Sequence, residues 1–279
     1  MENISAKLAE GYTGQRAGRS LLITLEGIEC SGKTTQAPLL ADYLRQAGWN
    51  VRHLREPGGT ELGETVRGIL KSKDINITPM AELFLFCAAR AQLVLEIIDP
   101  ALRKPNSVVL MDRFYDATYA YQGCGRGLPV EPLTKMVAPI VPDITFILDI
   151  PVETMNERLI LRAEQEGIAL DRIELSSRTF FEAVRKGYLE LPALHPERNF
   201  CVLDGRKSVD DLQAEICAVL QRDFLRYEFP ESNQSTDEEF HPMGSIVSTV
   251  LPPDSAERVC DHEVPQPVSA SARAGIGSR

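Results

Sequence analysis

The sequence predicts an α/β domain built on a mainly parallel β-sheet. Short apolar runs that are typical of buried strands alternate with segments whose apolar residues recur at helical spacing. With 279 residues, 43% of them hydrophobic, the chain is long enough for one fairly large domain or two small ones. The alternation begins at Leu21 and ends at Leu225, so these two positions bound the main predicted domain.

Each strand and helix follows from its local pattern, in chain order. The predicted strands are residues 21–25, 51–54, 108–111, 144–148 and 200–203. The predicted helices are residues 34–46, 60–70, 80–102, 113–121, 132–137, 152–163, 175–194 and 209–225. Gly48 suits the end of the first helix, and Thr78 with Pro79 suits the cap and first turn of the third.

The strand and helix pattern divides the chain into an N-terminal extension (1–20), a domain (21–226) and an acidic tail (227–279). The net charge is −10, and residues 229–279 contribute −5 of it through eight acidic and three basic side chains. This proline- and serine-rich tail has too few apolar residues to offset the entropy of ordering it. We predict that it is disordered, with only residues 246–251 suited to docking, and that truncation after Arg226 leaves function nearly unchanged.

Composition argues against several classes of protein. An acidic balance argues against a nucleic-acid partner, and no stretch is apolar enough for a membrane span or a signal peptide. The six cysteines are scattered, without a CxxC pair or clustered histidines, which favours reduced thiols over a zinc site or a disulfide framework. We therefore expect a cytoplasmic protein with no membrane partner.

Residues 27–34 form a candidate phosphate-binding loop, because GIECSGKT fits GxxxxGK[ST] between a predicted strand and a predicted helix. Backbone N–H groups and the helix N-terminus of such a loop point at phosphate oxygens. Lys33 would reach the β- and γ-phosphates of a nucleotide, and the Thr34 hydroxyl would bind Mg²⁺. The alternative is a chance match. The candidate nucleotide-binding residues are Gly27, Ile28, Glu29, Cys30, Ser31, Gly32, Lys33 and Thr34.

Further polar segments follow the next two predicted strands. REPGGT begins at Arg55 and DRF begins at Asp112, both at the carboxyl edge where open parallel sheets bind ligands. Phe86 and Arg90 stand one helical turn apart, so they share a face. The chain has no DxxG and no NKxD motif, which argues against a GTPase.

The segments GIECSGKTT, REPGGT, LFCAAR, DRF and TYAYQGCGRG together strongly resemble bacterial thymidylate kinases, over roughly residues 21–225. The resemblance implies a P-loop kinase fold, with a five-stranded parallel sheet flanked by helices and a mobile lid. It implies the reaction of ATP with dTMP to give ADP and dTDP, with Mg²⁺ as cofactor, in dTTP synthesis. It also implies a homodimer.

Carried over residue by residue, the resemblance assigns the base-binding side chains. Phe86 would stack on the thymine ring, and Arg90 would bond a base carbonyl. Thr118 and Gln122, which share a helical face, would help to read the base edge. The alternative for Phe86 is an ordinary core position. Arg90 follows an apolar run, where an arginine needs an anion or an acceptor.

The resemblance also assigns the sugar- and phosphate-binding side chains of the acceptor site. Tyr121 would lie under the deoxyribose and disfavour a 2′-hydroxyl, and Glu29 would meet the 3′-hydroxyl. Glu56 belongs to the same pocket, while Arg67 and Arg113 would lie on or near the acceptor phosphate. The alternative for Arg67 is a solvated surface position.

The chemistry requires cations more than a base. The second pKa of a phosphate monoester is about 6, so the acceptor is mostly a dianion near pH 7. Lys33, Arg113, Mg²⁺ and lid arginines would neutralise the repulsion between this dianion and the γ-phosphate. Asp112 would position Mg²⁺ through water or orient Arg113, and its alternative role is to cap the next helix.

A lid is expected to supply an arginine, because the phosphate-binding loop contains none. Arg158 and Arg162 stand one turn apart on the helix that enters the candidate lid, and Arg172 follows in it. The resemblance favours Arg162 and Arg172 as phosphate ligands and leaves Arg158 as a further ATP-binding candidate. A solvated helix end is the alternative for Arg158.

Cys30 stands where a glycine is usual in the family. We expect it to fit with a negative φ, and a thiol at a helix N-terminus is a candidate for high reactivity. Together with the acidic residues of the lid, this departure keeps open a nucleotide-binding module with weakened catalysis. Another P-loop nucleoside or nucleotide kinase is the second alternative.

Overall fold

A computed structural model describes residues 16, 18–131, 133, 137, 139–167 and 169–225. Its centre is a five-stranded sheet in the order β2-β3-β1-β4-β5, and every neighbouring pair is parallel. The α/β class and the five parallel strands expected from the sequence are therefore confirmed. The strands are β1 (Ser20–Glu26), β2 (Asn50–Arg55), β3 (Ser107–Asp112), β4 (Ile144–Asp149) and β5 (Phe200–Asp204).

Helices cover both faces of this sheet. Helix α3 continues through a π-helical stretch (Val94–Ile98) and one more α-helical turn (Asp99–Leu102), which confirms the long predicted helix. Helix α4 likewise continues as a π-helical stretch (Tyr119–Gly125). The helices are α1 (Lys33–Gln46), α2 (Glu61–Lys71), α3 (Pro79–Leu93), α4 (Tyr115–Thr118), α5 (Val152–Glu166), α6 (Arg178–Leu194) and α7 (Val209–Asp223).

Capping side chains determine several helix ends. Thr78 Oγ1 accepts a hydrogen bond from the Ala81 amide, as the sequence predicts. Helix α6 begins at Arg178 and not at 175, because Ser177 Oγ accepts from the Phe180 amide and caps the helix there. The predicted helix 113–121 begins two residues later, at Tyr115.

Some expectations fall wholly or partly outside the described residues. They concern most of the N-terminal extension, the disorder of the tail, docking by residues 246–251 and most of the predicted helix 132–137. Within the described ranges, no helix is long and apolar enough to cross a membrane.

Alternation along β1 separates two cores. Ile23 and Leu25 pack against α1 and α7, whereas Leu22 packs against α3 and its continuation. Thr24 and Glu26 lie on the same face of the strand as Leu22, and both are fully buried. A carboxylate is therefore placed inside the protein, directly before the glycine-rich turn.

Register brings the predicted motifs to one edge of the sheet. Leu25 pairs with Asp112, and Arg55 also pairs with Asp112 from the other side. The phosphate-binding loop, REPGGT and DRF therefore leave the sheet side by side, at the carboxyl ends of adjacent parallel strands.

Candidate active site

The phosphate-binding loop wraps around the amino group of Lys33. Its Nζ donates to the carbonyl oxygens of Gly27 (3.0 Å) and Ile28 (2.7 Å) and to Ser31 Oγ (3.1 Å). Burial, assisted by the nearby Arg113 cation, lowers the pKa of Lys33 to about 8. Gly27 has a φ of 138°, and an added Cβ would lie 2.4 Å from the Leu148 carbonyl oxygen, so only glycine fits there.

Cys30 differs from the sequence expectation in two ways. Its φ is +54°, so the expected negative φ is wrong, and the loop turns here through the left-handed region that glycine adopts more readily. Burial raises the pKa of its thiol despite the nearby Arg162 cation, and this raised pKa opposes the predicted reactivity of the thiol.

Arg158 Nη1 donates to the carbonyls of Cys30 (3.1 Å) and Gly205 (3.0 Å). Arg158, predicted to bind ATP, thus contacts the loop backbone.

Thr34 and Asp112 place two oxygens beside the loop. Thr34 Oγ1 donates to Asp112 Oδ2 at 3.1 Å, from the first turn of α1 to the end of β3. A hydroxyl and one carboxylate fit Mg²⁺, which prefers oxygen ligands and takes the rest of its shell from water and phosphates. No cluster of three or more His, Cys, Asp or Glu suited to a metal ion occurs among the described residues.

Arg113 lies where the loop, α4 and α6 meet, and its φ is +69°. Its Nη1 donates to the Gly27 carbonyl (2.8 Å) and to the Tyr188 hydroxyl (3.1 Å). Its Nη2 donates to Glu29 Oε1 (3.1 Å), and the guanidinium carbon lies 4.9 Å from the centroid of the Tyr121 ring. Because four groups hold it, the cation is fixed beside the phosphate-binding loop.

One of these partners, Tyr188, extends the network into the core through Glu26. Glu26 accepts from the Phe114 amide (2.7 Å) and from the Tyr188 hydroxyl (2.8 Å). Burial, and to a smaller extent the Asp116 carboxylate, raises the pKa of Glu26 to about 8. Sequence reasoning missed both Glu26 and Tyr188; the available signal was a carboxylate that ends an apolar strand.

Arg90 is buried beneath REPGGT and forms an ion pair with Glu56. Its Nε and Nη2 donate to the same carboxylate oxygen, Glu56 Oε2, at 2.8 and 2.6 Å, and its guanidinium lies over the Phe114 ring. Arg90 Nη1 and Glu56 Oε1 have no hydrogen-bond partner among the residues that the structure describes. Both groups therefore retain hydrogen-bonding capacity next to the predicted acceptor site.

The other predicted acceptor residues line the same cavity as Glu56. Arg67 Nη1 donates to the Pro57 carbonyl (3.0 Å), and Phe86 is only partly buried. Thr118 Oγ1 is buried without a partner, whereas Gln122 Nε2 donates to Glu82 Oε1 at 2.8 Å. The Tyr121 hydroxyl donates to Glu29 Oε2 at 2.7 Å.

One cavity of about 240 Å³ is lined both by residues of the phosphate-binding loop and by the predicted acceptor residues. Lys33 and Thr34 belong to the lining on the loop side, and Arg113 also lines the cavity. Arg162 also faces this cavity, and its Nη2 donates to Glu174 Oε1 at 2.5 Å. The predicted acceptor residues among its lining are Glu29, Glu56, Arg67, Phe86, Arg113, Thr118, Tyr121 and Gln122.

Comparison with known proteins identifies the family. The family model described as "Thymidylate kinase" matches residues 25–216. The thymidylate kinase of Thermosipho africanus is 43% identical over 206 residues, which are 72% of this chain and 98% of the relative. The chain belongs to the thymidylate kinase family. The thymidylate kinase of Chlorobium luteolum is 44% identical over 215 residues, covering 73% of this chain and 98% of the relative.

A solved structure agrees with the thymidylate kinase assignment. The crystal structure of thymidylate kinase from Ehrlichia chaffeensis has a TM-score of 0.57 and 34% sequence identity, and it covers 73% of this chain and 99% of that one. The family, the fold and the phosphorylation of thymidylate that the sequence implied are therefore confirmed.

In this chain, Arg172 of the candidate lid contacts other groups of the protein. Its Nε donates to the Leu70 carbonyl (3.0 Å), and its Nη2 forms an ion pair with Glu82 Oε2 (2.7 Å). Both partners belong to α2 and α3, on the acceptor side of the cavity. Contact of Arg172 with ATP phosphates stays a prediction; in the structure, the buried Glu82 carboxylate neutralises the charge of Arg172. Sequence reasoning missed Glu82.

Proposed function

We propose that the chain transfers the γ-phosphoryl group of ATP to dTMP in the cavity that joins the phosphate-binding loop to the acceptor residues. The observation that carries this proposal is Arg113, which donates to the Gly27 carbonyl of the loop and lies against Tyr121 of the acceptor side. A cation at that junction is where two phosphate groups would meet.

Electrostatic neutralisation is the main task of the protein. At about 4 Å, two like unit charges repel by roughly 4 kcal/mol at an effective dielectric constant of 20. Lys33, Arg67 and Arg113 are among the cations that line the cavity and offset this repulsion, and Arg162 adds a further cation from α5. Mg²⁺, held by Thr34 with Asp112 beside it, would supply further positive charge at the donor phosphates.

The acceptor side has the hydrogen-bonding groups that a pyrimidine base requires. Phe86 lines the cavity and offers a ring for stacking. Arg90 Nη1 is an unpartnered buried donor, which suits a base carbonyl, and Thr118 Oγ1 is a second unpartnered group. Because an unpaired buried donor is costly, these atoms favour a ligand that satisfies them.

Recognition of the sugar is assigned to the linked pair of Tyr121 and Glu29. The Tyr121 ring is buried and its hydroxyl is held by Glu29 Oε2, so the ring edge is fixed. We propose that this ring blocks a 2′-hydroxyl, while Glu29 accepts from the 3′-hydroxyl. The prediction is a strong preference for dTMP over the corresponding ribonucleotide.

A coupled assay of ADP release with a panel of acceptors tests the function. We expect turnover with dTMP and ATP well above that with dUMP, dCMP or dGMP, and near-complete loss in Lys33→Met and Arg113→Met. Lys104→Met, a lysine outside the cavity lining, is the matched control. Equal rates on all monophosphates would contradict the proposal, as would tight binding of both nucleotides without turnover.

We also propose a homodimer. Met80 and Phe84 are one turn apart on α3 with 42% and 53% of their surface exposed, and Leu95 follows about three turns later on the same side. This apolar stripe suits burial against a second copy. Sedimentation should give a dimer for the native chain and a monomer for Phe84→Glu; a native monomer would contradict the proposal.

Localisation in the cytoplasm is proposed from the state of the thiols. Cysteines 30, 87, 124, 201 and 217 are all free in the described structure, which suits a reducing compartment. Cell fractionation tests this, and recovery in a membrane or secreted fraction would contradict it.

A further inference from the structure

Glu82 is a buried carboxylate at which three parts of the protein meet. It lies in the first turn of α3, and only 1% of its surface is exposed. Gln122 Nε2 donates to its Oε1 at 2.8 Å, and Arg126 Nε donates to the same oxygen at 3.3 Å. Arg172 Nη2 lies 2.7 Å from its Oε2. Glu82 therefore connects a predicted base-reading side chain with an arginine of the lid.

The lid segment, residues 169–177, is organised so that Arg172 reaches this position. Asp171 Oδ1 accepts from the amides of Ile173 (2.9 Å) and Glu174 (3.0 Å), and Glu174 Oε2 accepts from the Asp171 amide (2.8 Å). Lys71 of α2 forms an ion pair with Asp171 at 3.0 Å. The segment is therefore a turn closed by its own hydrogen bonds. Asp171 attaches it to α2, and Arg172 attaches it to α2 and α3.

The chemistry of Glu82 determines how Gln122 is oriented. An ionised carboxylate only accepts hydrogen bonds, so it fixes the amide with its NH₂ group toward Glu82. The carbonyl oxygen of Gln122, a residue that lines the cavity, is then the acceptor offered to a ligand. Although burial raises the pKa of Glu82, the bond from Gln122 and the Arg126 and Arg172 cations hold this pKa below its ordinary value.

Arg172 and Arg126 reach Glu82 from different parts of the chain. Arg126 belongs to the same helical region as Gln122, and its guanidinium lies 4.2 Å from the centroid of the Phe180 ring, so it is held without the lid. Its contacts with Glu82 are long, at 3.3 and 3.4 Å. The shorter pair, at 2.7 Å, comes from Arg172 of the lid segment and is an ion pair without hydrogen-bond geometry.

We propose that Glu82 is a positioning residue through which docking of the lid by Arg172 fixes the Gln122 amide and so sharpens selection of the acceptor base. The inference rests on the proposed function, in which Gln122 reads the base edge. A fixed carbonyl acceptor favours bases with an N–H at position 3, as in thymine and uracil, over cytosine, whose N3 accepts.

The test compares kcat/KM for dTMP, dUMP and dCMP in two lid variants. Arg172→Met is expected to lower the dTMP-to-dCMP ratio about tenfold, the effect of one poorly aligned hydrogen bond, while leaving the dTMP-to-dUMP ratio unchanged. Arg172→Lys should restore most of the lost ratio. Arg178→Met is the matched control, because it removes an exposed ion pair with Glu182 (2.7 Å) at a residue that does not line the cavity. It should keep the ratio of the native chain.

A double-mutant cycle shows whether the effect passes through Gln122. In a Gln122→Ala background, Arg172→Met should cause no further loss of discrimination. An equal fall in kcat for all three acceptors, or additive effects in the cycle, would overturn the proposal. If Gln122→Ala keeps full discrimination, the proposal also fails. A native enzyme without preference for dTMP would instead show that the proposed function is wrong. Thermal unfolding of every variant separates these outcomes from misfolding.

Discussion

The buried pair of Glu56 and Arg90 should respond very differently to loss of its two members. The side chains are only 4% and 1% exposed, so either charge left alone would be poorly solvated. Glu56→Met leaves a guanidinium that cannot lose its proton. Arg90→Met leaves a carboxyl group whose pKa burial already raises, and this group can escape its charge by taking up a proton.

The difference in stability loss between the two variants follows from the ability of Glu56 to take up a proton. Removing one member of a buried pair typically costs about 3–5 kcal/mol. For Arg90→Met, the free energy lost by burying an unpaired charge cannot exceed the free energy of protonating Glu56, because the protonated group is neutral. From an unfolded pKa of about 4.3, this cost is about 3.7 kcal/mol at pH 7 and about 1.6 kcal/mol at pH 5.5. The folded pKa lies above the unfolded value, so the variant gains stability relative to the native chain as the pH falls.

Denaturant unfolding at pH 7 and pH 5.5 measures both variants. Arg90→Met should recover about 2 kcal/mol of its lost stability relative to the native chain on acidification, while Glu56→Met recovers none. The double variant Glu56→Met with Arg90→Met should be more stable than Glu56→Met alone, because no unpaired charge remains. Equal losses with the same pH dependence for both single variants would refute this reasoning.

Three further predictions concern the phosphate-binding loop and its support. Because the pKa of Lys33 is about 8, its cation is lost as the pH rises, and KM for ATP should be about tenfold higher at pH 9 than at pH 7; a flat profile contradicts this. Tyr188→Phe removes the hydroxyl between Glu26 and Arg113, so kcat/KM for dTMP should fall about tenfold in steady-state kinetics, and an unchanged value would deny it a positioning role. Cys30→Gly should raise the free energy of unfolding by about 0.5–1 kcal/mol because φ is positive, whereas Cys30→Val should lower it; the opposite order in denaturant unfolding would disprove the strain.

Local patterns were sufficient for most of the fold. All five predicted strands occur; the apolar runs of β1, β3 and β4 suit strands buried on both faces, whereas the edge strands β2 and β5 are partly exposed. Thr78 caps α3, as its side-chain chemistry predicts. The start of α6 differs from the predicted residue 175 because residues 171–176 form turns. Apolar periodicity does not show that Ser177 is the better cap.

Motifs also determined which residues line the cavity, since REPGGT and DRF each mark the end of a parallel strand. The contacts that Arg158 and Arg172 make within the protein could not be predicted from the sequence. Arg158 and Arg172 have the charge suited to phosphate, but in the fold Arg158 meets backbone carbonyls and Arg172 meets Glu82. A guanidinium pairs with whichever acceptor the fold brings near it, and the spacing of residues in the sequence does not reveal which acceptor that is.

The sequence by itself determined the family, the parallel sheet and the presence of a phosphate-binding loop, because these depend on short-range periodicity and on motifs whose residues are contiguous. Only the tertiary structure revealed the positive φ of Cys30, the buried Glu26 beneath Arg113 and the meeting of Gln122 and Arg172 at Glu82. These features depend on burial and on contacts between residues that are 40 to more than 80 positions apart, as with Glu82 and Gln122 (40) and Glu26 and Phe114 (88). Desolvation and side-chain pairing over such separations arise only when the chain has folded.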